Sequence, residues 1–209
     1  MRIPLLSSKI IDAEIDRLPR EKISFVFPQS CIPGLLPEAE FAMAHTGASV
    51  EIKFFIKEKT CMALCSSDQQ SVCKDSCVEF FCSPPDSAEY YNFEFYAAGI
   101  CLAARGVSRE NRIPLTADQL VMIKRRPSMA PGVFSEKTGN IIWNLHISIP
   151  SVIFGPERYN LSGNIFSANL YKCGDHLSNP HWLCWKKVET PQPDFHRPEY
   201  FTRLEFMPA

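Results

Sequence analysis

The sequence contains no apolar run near the roughly 20 residues that a membrane-spanning helix requires, so no such helix is expected. Its opening, MRIPLLSSKIIDAEIDR, lacks the apolar core of a signal peptide. The expected compartment is therefore cytoplasmic, with extracellular and periplasmic locations left open. Charge of one sign is missing too. The 22 basic and 23 acidic residues interleave to a formal net charge of −1, and no field is built up that would draw nucleic acid or an anionic membrane. Neither is an expected partner. The densest basic run, Lys124, Arg125 and Arg126, reads as a solvated face.

Nine cysteines are present, but no CxxC pair is. Cys61 and Cys65, Cys73 and Cys77, and then Cys82, Cys31, Cys101, Cys173 and Cys184 show no zinc-ligand spacing, and no metal site is expected. An odd count without an export signal points to reduced thiols packed as small apolar groups. The single sequon, Asn160-Leu161-Ser162, carries no meaning in a cytosol. There is also no nucleophile elbow, phosphate-binding glycine loop or HExxH helix, which leaves carboxylates as the only route to catalysis.

Proline, by contrast, is abundant. Its 17 copies, Pro28, Pro33, Pro37, Pro84 and Pro85 among them, cut the chain into short segments that favour strands over long helices. Period-two alternation points the same way. Val50, Ile52, Phe54 and Ile56 alternate with Glu51 and Lys53, Phe55 being the exception, and Ile141, Trp143, Leu145, Ile147 and Ile149 repeat the pattern around Asn144, His146 and Ser148. Trp143 is expected in the core. Further strands read at 22–27, 77–82, 91–96, 100–104, 164–171, 181–186 and 203–206, about nine in all, enough for two packed sheets. Thr116 with Gln119 three residues on forms a capping box for one short helix, and Ile11, Ile15 and Leu18 have helical spacing that Pro19 ends. The expected fold is all-β, an antiparallel β-sandwich of immunoglobulin-like or jelly-roll-like form with one or two short helices, and residues 1–209 make one domain.

Among carboxylates, Asp75 and Glu79 would lie roughly 13 Å apart on an extended strand, beyond the roughly 5–9.5 Å that glycoside hydrolysis uses. Glu79 and Glu94 could instead meet at about 5 Å on adjacent strands. Glu79, Glu94 and Tyr96 occupy the phase opposite Val78, Phe80, Phe93 and Phe95, while Ser167, Asn169 and Tyr171 lie opposite Phe166, Ala168 and Leu170. Together they suggest a polar-aromatic sheet face forming a groove. The segment HWLCWKKVETPQPDFHRPEYF adds aromatics braced by prolines, with Phe195 beside His196 and Arg197 offering both a stacking ring and planar hydrogen-bonding groups of the kind sugars engage. Trp182 and Trp185 are three apart, so one must point inward.

DSCVEFF (75–81), YYNFEF (90–95), ANLYKCGD (168–175) and PDFHRPEYF (193–201) resemble the bacterial family 9-like carbohydrate-binding proteins, relatives of the family 9 carbohydrate-binding modules of xylanases. The likeness runs from about residue 10 to 206. It implies the sandwich fold and capture of a saccharide or polyol without catalysis, with Phe195 as the stacking platform and Glu79, Asn169, Glu94 and Tyr96 at polar contact positions, to which the residue pattern adds Tyr171, Trp185, His196 and Arg197 as expected contacts. The second platform of those modules has no counterpart in SSDQQSVCK ahead of the DSCVEFF strand. No cofactor is expected. Related modules hold structural calcium, yet no loop here has an EF-hand-like ligand pattern. Two other readings stand beside this one: a domain that docks a protein partner through an apolar patch around Phe195 and Tyr200, its sugar site decayed, and a glycoside hydrolase using Glu79 and Glu94.

Overall fold

The computed structural model describes residues 1–30, 34–155 and 160–208; Cys31 and Pro33 lie outside the described residues. The chain begins with β1 (Arg2–Ile3), helix α1 (Ile11–Glu14), β2 (Glu21–Lys22), β3 (Phe25–Val26), β4 (Glu38–His45) and β5 (Ser49–Ala63). It continues with β6 (Cys77–Ser83), β7 (Tyr90–Tyr96), β8 (Cys101–Gly106), β9 (Ile113–Pro114) and helix α2 (Ala117–Met122). The last strands are β10 (Lys124–Pro127), β11 (Phe134–Pro150), β12 (Ile165–Cys173), β13 (Trp182–Cys184) and β14 (Thr202–Phe206).

Two sheets face each other. One has the order β10-β11-β5-β4-β2; the other runs β1-β14-β12-β6-β7-β8-β9, with β13 joining β12 to β3. Every pairing between these strands is antiparallel except β1 with β14. The expected antiparallel sandwich is the observed one, and both expected helices are there.

The alternating residues explain the packing. Val50, Ile52, Phe54 and Ile56 of β5 and Trp143, Leu145, Ile147 and Ile149 of β11 point to one core shared with Val78 and Phe80 of β6, Phe93 and Phe95 of β7 and Leu170 of β12. Each fully buried ring contributes on the order of 2–3 kcal/mol through apolar area removed from water. Phe55 breaks the alternation for a local reason: Arg20 lies 3.5 Å above its ring, and the helix α1 side of the sheet packs against it. Beneath that helix the outward Glu51 is buried, accepting from Ser148 Oγ at 2.7 Å and lying 3.0 Å from His146 Nε2.

Helix α2 carries the full capping box. Gln119 N donates to Thr116 Oγ1 at 3.3 Å and Thr116 N donates to Gln119 Oε1 at 2.9 Å. Thr116→Ala is expected to cost about 1 kcal/mol, read as a lower urea midpoint with an unchanged slope. The basic run is more engaged than a solvated face: in edge strand β10, Arg125 pairs with Asp68 at 2.6 Å and Arg126 with Asp12 at 2.7 Å. Among the described residues, no helix is long and apolar enough to cross a membrane.

Candidate functional site

The site is built on the face of β6, β7 and β12 turned away from the shared core. Register places Glu79 opposite Glu94 and Cys77 opposite both Tyr96 and Cys173, so these side chains emerge on one floor. This floor is not an open sheet face. Segment 186–201 crosses it, and a second apolar cluster of Phe27, Phe81, Tyr90, Tyr96, Tyr171 and Phe195 closes over most of it.

What remains open is a cavity of about 90 Å³ into which Glu79, Glu94, Asp175, Trp182, Phe195 and His196 project. Cys173 and Cys73 form part of its floor, while Arg109 and Asp194, 3.3 Å apart, stand at its rim. A second cavity of about 360 Å³ shares Glu94, Arg109 and His196 with the first and continues past Asn92 and Arg112. The two form one groove with Glu94 at its middle. Arg112 is fixed in the groove wall by Nε donating to Asn92 Oδ1 at 2.8 Å and by its position 4.1 Å from the Tyr90 ring centroid.

Electrostatics on the floor follow from burial. Burial, and then the neighbouring Glu94, push the Glu79 carboxyl well above the usual carboxylate range. Burial pushes Glu94 up to about 7, against a hydrogen bond from Asn92 Nδ2 at 2.9 Å that favours its charged form. The thiol of Cys173 lies 3.1 Å from Glu79 Oε1. Burial, with the charges of Arg112 and Arg109, holds the His196 imidazole down at about 4, so it is neutral at pH 7; its Nδ1 lies 2.9 Å from the Tyr90 hydroxyl.

Of the residues expected to bind, Glu79, Glu94, Phe195 and His196 do converge on this cavity. The structure places the others elsewhere. Asn169 is fully buried and used up by the backbone, its Nδ2 donating to Lys186 O at 2.8 Å and its Oδ1 accepting from Lys186 N at 2.9 Å. Tyr171 lies beneath Phe195, the two rings stacked at 4.1 Å, and Tyr96 is buried with its hydroxyl on Gly132 O at 3.3 Å. Trp185 belongs to the shared core, edge-on to Phe41 at 5.4 Å. Arg197 points outward to Glu199 at 3.2 Å. Phe195 is itself buried, because Tyr171 occupies one of its faces; it walls the cavity rather than offering an open platform. Asp75, weighed as a partner for Glu79, instead accepts from Leu64 N and Cys65 N at 2.7 and 3.0 Å and so holds a loop.

Trp182 takes the place expected of Trp185. It pairs in register with Cys173, which puts it on the site face, half-buried, with Nε1 donating to Asp175 Oδ1 at 2.7 Å. The signal was the phase: Leu183 and Trp185 share one apolar phase of this short strand and Trp182 has the other. Arg109, Asp175 and Asp194 sit in loops, where no periodicity marks them. Among the described residues, the one group of three or more acidic, thiol or imidazole side chains within ligating distance is Cys77, Glu79 and Cys173. Two thiols and one carboxylate are not the six to eight oxygens that calcium takes.

No protein of curated function matches the chain. A solved structure from Bacteroides uniformis ATCC 8492, named for carbohydrate binding, is similar with a TM-score of 0.85 and 30% identity, covering 99% of this chain and 98% of that one. Two family 9 carbohydrate-binding module structures from Caldicellulosiruptor kristjanssonii, one in complex with glucose and one with cellotriose, share the fold at TM-scores of 0.58 and 0.57 and identities of 8% and 7%. Each aligns over 100% of this chain, covering 96% and 95% of the respective module. Residues 11–206 match the sequence model of carbohydrate-binding family 9, and the chain belongs to that family.

Proposed function

We propose that residues 1–209 act as one non-catalytic domain that captures a saccharide or similar polyol in the groove between Trp182 and Arg112. The observation that carries this reading is Trp182: a half-buried indole on the wall of a cavity whose polar groups include carboxyls, an imidazole and a guanidinium. An aromatic face for the C–H patches of a sugar, next to planar groups for paired hydroxyls, is the combination saccharide binding requires. Family membership supports the ligand class, and the glucose and cellotriose held by the two Caldicellulosiruptor modules make glucose and its short oligomers the first ligands to test.

Catalysis finds less support. Glu79 and Glu94 stand side by side on neighbouring strands of one floor, whereas glycoside hydrolysis needs two carboxyls flanking the scissile bond. Glu79 is further occupied by the thiols of Cys173 and Cys77, at 3.1 and 3.8 Å. Protein docking at Phe195 and Tyr200 would need both rings on the surface, and they are buried and half-buried.

Titration calorimetry over glucose, xylose, cellobiose and cellotriose tests the reading. One or two stacked rings with a few partly exposed hydrogen bonds give an expected Kd of roughly 10 μM to 1 mM. Trp182→Ala is expected to weaken binding at least about 10-fold, a loss of roughly 1.4 kcal/mol. No heat from any saccharide at millimolar concentration, or full affinity in Trp182→Ala, would exclude the site.

A further inference from the structure

Eight of the cysteines are described, and most behave as the sequence suggests: Cys82 and Cys101 lie in the shared core among aliphatic and aromatic side chains. Cys77 and Cys173 do not. They face each other directly on β6 and β12, and both thiols are directed at the carboxyl of Glu79, two residues along β6 on the same face. The Cys173 Sγ to Glu79 Oε1 distance is 3.1 Å, the Cys77 Sγ to Oε1 distance is 3.8 Å, and all three donor atoms lie within 4.8 Å of one another.

A tetrahedral ion with metal–sulfur bonds of ~2.3 Å and metal–oxygen bonds of ~2.0–2.2 Å requires its donors to be about 3.5–3.8 Å apart. The observed separations bracket that spacing, so an ion needs only small side-chain adjustments and no change of backbone register. Rigid strands hold all three positions, which fixes the geometry better than loops would. Two thiolates with one carboxylate form a soft, low-coordination set that suits zinc or cadmium and is wrong for calcium or magnesium. Glu79 and Cys173 border the cavity while Cys77 lies behind them, so the fourth coordination position opens into the cavity, which is also the route of entry. Cys73 borders the same cavity and offers a further thiol.

We propose that Cys77, Cys173 and Glu79 form a binding site for a single zinc-type divalent ion at the base of the groove. The site is independent of whether a saccharide binds above it. No CxxC spacing announces it, because the two thiols come from strands almost a hundred residues apart in sequence and are brought together only by the β6–β12 register.

The test uses the reduced, metal-free protein. Zinc is titrated against a chromophoric chelator, and cadmium is titrated in parallel while the ultraviolet thiolate-to-metal charge-transfer absorption is recorded. One equivalent of each ion is expected, with the cadmium band having the intensity of at least two thiolates. Cys173→Ser and Cys77→Ser should each weaken zinc binding by about 100-fold and Glu79→Gln by about 10-fold, in line with losses on removing ligands and their supports. Cys65→Ser, in a different cavity, should bind as the parent does. Absence of a charge-transfer band at stoichiometric cadmium, a band of fewer than two thiolates, or unchanged affinity in Cys173→Ser would overturn the proposal. The cadmium measurement is made on the unsubstituted protein, so it decides the matter even where a serine variant fails to fold.

Discussion

Replacing Lys172 with methionine is expected to destabilise the protein by about 3–5 kcal/mol, the cost of leaving one member of a buried ion pair without the other. Lys172 lies in the core phase of β12, with no exposed surface, and its ammonium is 2.9 Å from Glu58 Oε2 of β5 on the facing sheet. Its other two bonds go to Cys173 O and His181 Nε2, both at 2.9 Å. Because an ammonium only donates, His181 must accept at Nε2 and carry its proton on Nδ1, which reaches Asn179 O at 3.1 Å. Burial, and then the Lys172 charge, push this imidazole down to about 2, consistent with a neutral ring throughout the physiological range. Glu58 also accepts from Trp143 Nε1 at 2.7 Å, so the ion pair ties the two sheets together at the largest core side chain. Removing the lysine alone strands the Glu58 carboxylate in that core. The double variant Lys172→Met with Glu58→Leu removes both charges, leaving the indole N–H without an acceptor and His181 Nε2 and Cys173 O without the lysine donor. It is expected to lie about 2 kcal/mol below the parent, a smaller loss than that of Lys172→Met alone. Urea midpoints of the four proteins in the double-mutant cycle check this; additive losses would show that the pair does not act as a unit.

The Glu79 and Glu94 pair should make stability fall as pH rises, the reverse of the usual behaviour of carboxylates. A carboxyl whose pKa is raised on folding binds more protons in the folded state than in the unfolded chain, so its contribution is fully present below the unfolded value and is lost through the folded one. For Glu94 the window runs from the ordinary 4.5 to about 7, and Glu79, raised by the same burial, adds a loss of the same sign. The Glu94 shift corresponds to about 3 kcal/mol between pH 5 and pH 8. Glu94→Gln keeps an acceptor for Asn92 Nδ2 and never ionises. It should match the parent at pH 5 to within about 1 kcal/mol and exceed it by about 2–3 kcal/mol at pH 8. Equal pH slopes for the two proteins in urea unfolding would show that Glu94 ionises freely in the fold.

The parts of the fold that were legible in the sequence are those with one wet face. β11 and most of β5 alternate because only one phase of each meets the core, and the Thr116 capping box is local chemistry that needs no partner. β4 was not legible. Its EAEFAMAH is buried on both sides, Phe41 and Met43 against the shared core and Ala42 and Ala44 against Ile11 and Ile15, so period two disappears, and alanine, glutamate and methionine favour helices. The site divides in the same way. Glu79 and Glu94 could be placed side by side from strand phase alone, but the covering of their sheet face by segment 186–201 depends on contacts such as Phe195 with Tyr171 and Asn169 with Lys186, which no periodicity encodes. Hence the expectation of an exposed Phe195 and a site-facing Trp185 gave way to a buried Phe195 and a site-facing Trp182. The Cys77, Cys173 and Glu79 cluster was invisible for the same reason.

The position of the three tryptophans provides the most direct test of saccharide capture in the groove. Trp143 and Trp185 are sealed in the core, and Trp182 alone borders the cavity, so ligand-induced change in indole emission reports on this wall. Titrating cellotriose into the protein should shift the emission saturably, with a midpoint of roughly 10 μM to 1 mM. The shift should vanish in Trp182→Phe and persist in Trp185→Phe. No saturable change at millimolar cellotriose or any other saccharide, or a change that survives Trp182→Phe, would contradict saccharide capture at this wall.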